Sequence, residues 1–117
     1  MLQTWVEGIR SNDANKVADL YHEKGLLLGT FSNIERSGYT LILDYFNNLL
    51  KSKVDVEIIT KHVYESESIA TASGLYNFIL NDEKIEARFS FVFLKIKKRW
   101  KILSHHSSIL PEKIKST

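Results

Sequence analysis

Ala87-Arg88-Phe89-Ser90-Phe91-Val92-Phe93 and Trp100-Lys101-Ile102-Leu103-Ser104-His105-His106-Ser107-Ser108-Ile109-Leu110-Pro111, joined through a basic turn at Lys97-Lys98-Arg99, set the architecture of this chain. Apolar and polar residues alternate on the first arm, as on a strand with one buried face. The second arm reads as its antiparallel partner, yet it carries two adjacent histidines flanked by serines. An imidazole or hydroxyl on a sheet that also covers the core must find a partner, because a buried polar group left unpaired costs about 1–3 kcal/mol. The pair His105 and His106 is therefore the first site candidate.

Working back from this hairpin, Lys84 to Ile96 and Ile69 to Leu80 read as strands joined at Asn81-Asp82-Glu83, and Val54, Val56 and Ile58 alternate on another. Upstream the period is helical. Ile42, Tyr45, Phe46, Leu49 and Leu50 form one stripe on a helix opened by Ser37 or Gly38. Trp5 and Ile9 mark a first helix; Val17, Leu20 and Tyr21 mark a second, capped by Asn12-Asp13 and closed by Gly25 before a short strand, Leu26-Leu28. Helices in the first half and long antiparallel strands in the second predict an α+β domain spanning 1–117. In it, a strongly curved sheet wraps the helices into a cone, with a ligand-sized cavity at the wide end.

Bulk properties narrow the function classes. The 117 residues fit one domain, and 44% hydrophobic with 26% charged residues is ordinary globular composition. The net charge of +2 offers no general attraction to nucleic acid or membrane, and the dense patch Lys95–Lys101 is read as a solvated hairpin tip that discourages edge pairing. With no cysteine, thiolate chemistry and disulfides are excluded. The first residues lack a secretory pattern and no apolar run approaches the ~20 residues of a membrane span, so a cytoplasmic protein is expected. The five glycines stand singly, with no phosphate-binding loop or dinucleotide fingerprint. No metal is expected, because adjacent histidines on a strand point to opposite faces and His22 and His62 have no ligand spacing; no cofactor is implied.

Face assignment follows from register. A two-residue turn at Lys97-Lys98 pairs Ile96 with Arg99 and, in an unbroken ladder, Phe89 with His106. Phe89, Phe91, Phe93, Trp100, Ile102, Ser104 and His106 then face the helices, with Tyr21, Tyr45 and Tyr76 as the remaining pocket residues. Arg88, Ser90, Val92, Leu103, His105 and Ser107 form the outer face, where Arg88 could instead pair with Glu86 or Glu112. A single β-bulge would exchange the assignments beyond it.

The order Trp5…Asp13…Leu20-Tyr21, Leu28-Gly29-Thr30-Phe31-Ser32, Tyr45-Phe46, Ser73-Gly74-Leu75-Tyr76, Ala87–Phe91 and Trp100…His105-His106-Ser107-Ser108…Pro111 resembles the bacterial stand-alone relatives of the calcium/calmodulin-dependent protein kinase II association domain, within the nuclear transport factor 2-like (SnoaL-like) superfamily. The resemblance implies a cone-shaped barrel with a deep pocket and homodimers, or larger rings, made through the open sheet. Aligned on Trp100, Phe91 and Ser107 stand where the kinase relative's pocket has arginines, so a preference for acidic ligands does not carry over. The superfamily also holds isomerases and cyclases. Two functions are thus open: a non-catalytic homo-oligomeric module binding a small organic molecule, or a small isomerase, cyclase or hydratase with His106 or His105 as general base beside a tyrosine. The inward acid pair of ketosteroid isomerase, a worked example of carboxyl tuning, has no counterpart among Asp44, Asp55, Glu57 and Glu86, which favours the module.

Overall fold

The computed structural model describes residues 1–111. Three helices, α1 (Leu2–Arg10), α2 (Ala14–Ala18) and α3 (Tyr39–Leu49), pack on one six-stranded sheet. Its strands are β1 (Tyr21–Leu28), β2 (Arg36–Ser37), β3 (Val54–Glu65), β4 (Ile69–Leu80), β5 (Glu83–Ile96) and β6 (Arg99–Ile109), in the spatial order β2-β1-β6-β5-β4-β3. This is the α+β architecture expected, with the long strands β3 to β6 forming an antiparallel meander.

Local chemistry explains the elements. The Asp13 carboxylate accepts from the backbone N–H groups of Asn15 and Lys16 and so caps α2. Gly38 opens α3 at φ +89°, a conformation costly for a side chain. Helix α2 is shorter than its apolar spacing suggests: Tyr21 begins β1, and Gly25 lies inside that strand rather than closing the helix. The Ile102 N–H donates to the Leu20 carbonyl, pulling the chain into the sheet directly after α2. The register of β1 on β6 then slips between Tyr21 and Leu26.

The decisive irregularity lies between β5 and β6. The turn pairs Ile96 with Arg99 as expected, and Phe93 pairs with Ile102, but Val92 pairs with Ser104, so Leu103 is an extra residue on β6. Beyond this bulge the faces exchange. Phe91 lies opposite His105, Phe89 opposite Ser107 and Ser90 opposite His106. The expectation that His106 and Ser104 face the helices is therefore corrected, as is the outward placement of His105 and Ser107. His105 and Ser107 are buried, whereas His106 is exposed.

The core lies between the helices and the inner face of the sheet, where Trp5, Val6, Ile9, Val17, Ile42 and Phe46 meet Val56, Tyr76, Phe91, Phe93 and Ile102. Across the outer face, cross-strand pairing builds regular rows over β3, β4, β5 and β6. One row is Thr60, Leu75, Arg88 and Ser108; the next is His62, Ser73, Ser90 and His106; the third is Tyr64, Thr71, Val92 and Ser104. Arg88 is the one permanent charge in these rows. It makes no ion pair with the described residues, whose salt bridges are Arg10–Asp55 and Arg36–Asp44; Glu112 lies outside them.

Candidate functional site

Five side chains from four elements meet around His105. The Trp5 indole N–H of α1 donates to the Tyr21 hydroxyl of β1 at 3.2 Å, and that hydroxyl lies 2.8 Å from His105 Nδ1. His105 Nε2 is 3.2 Å from the Tyr76 hydroxyl of β4, which donates to Ser107 Oγ. The Ser107 hydroxyl in turn meets Thr30 Oγ1 from the loop after β1, at 2.5 Å. Among the described residues no buried side-chain polar atom lacks a partner.

The direction of this chain follows from the Tyr76 proton. Tyr76 spends its proton on Ser107 and so accepts from His105 Nε2–H, which leaves Nδ1 of the neutral ring to accept the Tyr21 proton, while the Tyr21 oxygen accepts from the Trp5 indole. Neutral His105 then carries its proton on Nε2 and donates to Tyr76. Tyr76 donates to Ser107, and Ser107 to Thr30. The hydroxyls of Tyr21, Tyr76 and Ser107 thus each give one hydrogen bond and receive one, in a single sense from helix to loop, where Thr30 accepts the last.

Burial sets the electrostatics. His105 is 2% exposed, stacks on Phe91 at 3.9 Å between centroids and meets the Trp5 ring edge-on at 5.2 Å. Desolvation, with a smaller contribution from the charge of His106, pushes its pKa down from 6.5 to about 3, so it is neutral at pH 7. Burial likewise raises the Tyr21 and Tyr76 hydroxyls well above the usual phenol value. Tyr45 on α3 is raised to about 12 by burial, against the lowering effects of the Phe31 N–H bond and nearby Arg36.

The expected pocket residues thus divide. Tyr21, Tyr45, Tyr76, Phe89 and Phe91 line the interior and are buried, filling much of the cone with their rings. His106 is not among them; it shares the outer face with Arg88 and Ser90. Openings that reach core residues include a cavity of ≈ 360 Å³ bounded by Met1, Leu20, Phe93, Trp100 and Ile102, and one of ≈ 260 Å³ beside Tyr45, lined by Phe31, Arg36, Tyr45, Asn48, Leu49, Ser52 and Leu80; of these two, only the second holds one of the expected pocket tyrosines. The Phe31 N–H donates to the Tyr45 hydroxyl and the Phe31 ring packs edge-on against Phe78, so the loop after β1 lies across the interior at this opening. Carboxylates keep away: Asp44 pairs with Arg36 and Asp55 with Arg10, both largely exposed. Among the described residues no group of three or more His, Cys, Asp or Glu side chains converges as a metal site would require.

Sequence reasoning did not single out Trp5 or Thr30 as members of the polar chain. Trp5 read as helix core, which it also is. Thr30 sits on an irregular loop, where no periodicity reports direction.

The curved six-stranded sheet packed on three helices is the fold of solved structures described as nuclear transport factor 2-like. A model of the SnoaL-like domain matches residues 1–112, and the chain belongs to that family. Among solved structures it is similar to a Xanthomonas campestris protein described as "Putative calcium/calmodulin dependent protein kinase II association domain", at 36% identity and a TM-score of 0.89, covering 96% of this chain and 84% of that one. A "putative ketosteroid isomerase" from Parabacteroides distasonis (18% identity, TM-score 0.81, 95% and 86% covered) shares the fold. So does a "putative dehydratase" of the same class from Streptomyces avermitilis (14%, TM-score 0.84, 94% and 91%). No protein of curated function matches the chain. Among the described residues no helix is long and apolar enough to cross a membrane.

Proposed function

We propose that this protein is a non-catalytic, self-associating SnoaL-like module that holds a small organic molecule at the opening beside Tyr45. The observation that carries the reading is the closure of the His105 network. A general base needs a free lone pair facing substrate and a pKa near the working pH; His105 has both ring nitrogens engaged, a pKa of about 3 and almost no exposure. The opening beside Tyr45 has Phe31, Leu49 and Leu80 to hold an apolar body and Arg36, Asn48 and Ser52 to orient polar atoms. Self-association is supported by three adjacent rows of the outer face, which hold hydroxyls, Leu75, Val92 and the 68%-exposed Tyr64 with Arg88 as their one permanent charge, flanked by Glu57 and Glu86 in the next row. Depletion of charge at the centre of a patch is the compositional mark of an interface.

Sedimentation velocity at micromolar concentration tests this. The expected result is a dimer or larger species for the wild type and a monomer with unchanged circular dichroism for Tyr64→Glu. A monomeric wild type would sink the reading.

A second reading, an isomerase or hydratase, draws on one feature: Tyr21, His105, Tyr76 and Ser107 form an unbroken path along which protons could shift once the loop at Thr30 moves aside. Under it His105→Gln removes turnover and leaves assembly intact.

A further inference from the structure

The opening beside Tyr45 is bordered by hydrogen-bond donors that the protein itself leaves unused. The Tyr45 hydroxyl accepts the Phe31 N–H at 3.3 Å, and among the described residues its own proton has no acceptor, although the residue is only 6% exposed. The ring tip is seated against the backbone at Gly29, where a Cβ would stand 2.6 Å from the hydroxyl oxygen, so the hydroxyl is held in place at the cavity. Arg36 spends Nε on Ser32 Oγ and Nη1 on the Asp44 carboxylate and the Leu41 carbonyl, which leaves Nη2 free among the described residues. Asn48 accepts from Lys51 Nζ through Oδ1, so the amide nitrogen is its free end.

We propose that this opening selects a compact, neutral molecule with a carbonyl oxygen, which accepts the Tyr45 proton while its apolar body lies on Phe31, Leu49 and Leu80. The inference rests on the reading of this opening as a ligand site and names what that site takes.

Three comparisons of chemistry lead to it. A hydrocarbon of the same shape would bury the Tyr45 proton without a partner, which a carbonyl oxygen supplies. A carboxylate would meet a guanidinium whose charge Asp44 already balances at 3.0 Å, and would leave water for apolar walls without a free counter-charge from the cavity lining. Burial raises the Tyr45 hydroxyl to about 12, so around neutral pH it is a donor and stays one. The cavity volume of ≈ 260 Å³ suits one ring with a short substituent.

Titration of the intact protein with acetophenone, ethylbenzene and benzoate, followed through backbone amide NMR shifts, tests this with one ring and three polar ends. The expected result is saturable shifts centred on residues 29–31 and 45–52, with acetophenone bound at least fivefold more tightly than the other two. In Tyr45→Phe the acetophenone preference over ethylbenzene should vanish; because the readout is a ratio, a general loosening of the opening cancels. A second measurement needs no variant: the infrared C=O stretch of bound, carbonyl-labelled acetophenone should fall below its value in hexane. Ethylbenzene or benzoate binding as tightly as acetophenone, a preference that survives Tyr45→Phe, or an unshifted stretch would each overturn the inference and leave the opening a ligand site. If none of the three binds, the ligand-site reading falls together with it.

Discussion

The Tyr21 hydroxyl lies 2.8 Å from His105 Nδ1 while accepting the Trp5 indole N–H, so one oxygen satisfies two buried nitrogens from different elements. Tyr21→Phe removes the oxygen and strands both. Each buried group left unpaired costs about 1–3 kcal/mol, and the expected loss in urea unfolding is about 2–4 kcal/mol. Tyr21 is buried against Phe46, so the ring itself stays packed. A loss below about 0.5 kcal/mol would mean that the Tyr21 oxygen is not the partner of both nitrogens.

The depressed pKa of His105 makes stability depend on pH in a defined window. The folded value is about 3 against 6.5 unfolded, so between these limits the unfolded chain binds the extra proton. The contribution is complete above pH 6.5 and is lost as pH falls toward 3, with a slope approaching about 1.4 kcal/mol per pH unit. Urea midpoints measured from pH 7 to 4.5, above the range where most carboxylates titrate, should fall steadily. His105→Gln should flatten that dependence although it lowers stability at pH 7; an equally steep profile in the variant would refute the assignment.

Two glycines should respond with opposite sign to alanine. A Cβ on Gly8, in the interior of α1, would meet Val17 Cγ2 at 3.4 Å and Leu20 Cδ1 at 3.5 Å, ordinary contacts, so Gly8→Ala gains helix propensity of about 0.5–1 kcal/mol. On Gly74 the Cβ would collide with the Thr60 carbonyl, where β3 bulges at Ile59, and backbone cannot swing away as a side chain can. Gly74→Ala should cost about 1–3 kcal/mol or more. Thermal unfolding of the pair checks both signs.

Lys97 and Lys98 form the β5–β6 turn at φ 48° and 69°, left-handed values that suit asparagine and glycine and strain a lysine. The β4–β5 turn has the same geometry with Asn81 and Asp82, residues better fitted to it. Replacing Lys97-Lys98 by Asn-Gly should stabilise the protein by about 1 kcal/mol in chemical denaturation. No gain would indicate that the lysines make compensating contacts.

Most of the fold was legible because it rests on patterns with a physical period. Much of the meander from Val54 to Ile109 alternates, its turns carry polar residues, and the α3 stripe repeats at helical spacing; the observed strand ends fall within a residue or two of those expected for β4, β5 and β6. The α2–β1 boundary was not legible, since Val17, Leu20 and Tyr21 keep helical spacing across a break made by a distant hydrogen bond from Ile102. The site was half legible. His105 and His106 were singled out, but their faces depend on Leu103, and in Ile102-Leu103-Ser104 no glycine marks the extra residue. Tyr21, Tyr45 and Tyr76 are buried, and the bulge leaves their side unchanged because they sit on other elements.

The bulge at Leu103 also governs how this chain can be compared with its kin. A relative lacking that one residue would keep a regular ladder and still present the equivalent of His105 to its interior. A relative of equal length with an unbulged strand would present the equivalent of His106 instead. Two chains with identical letters in every column here can therefore hold opposite imidazoles in their cores, and chemistry is inherited along this strand by phase, not by position.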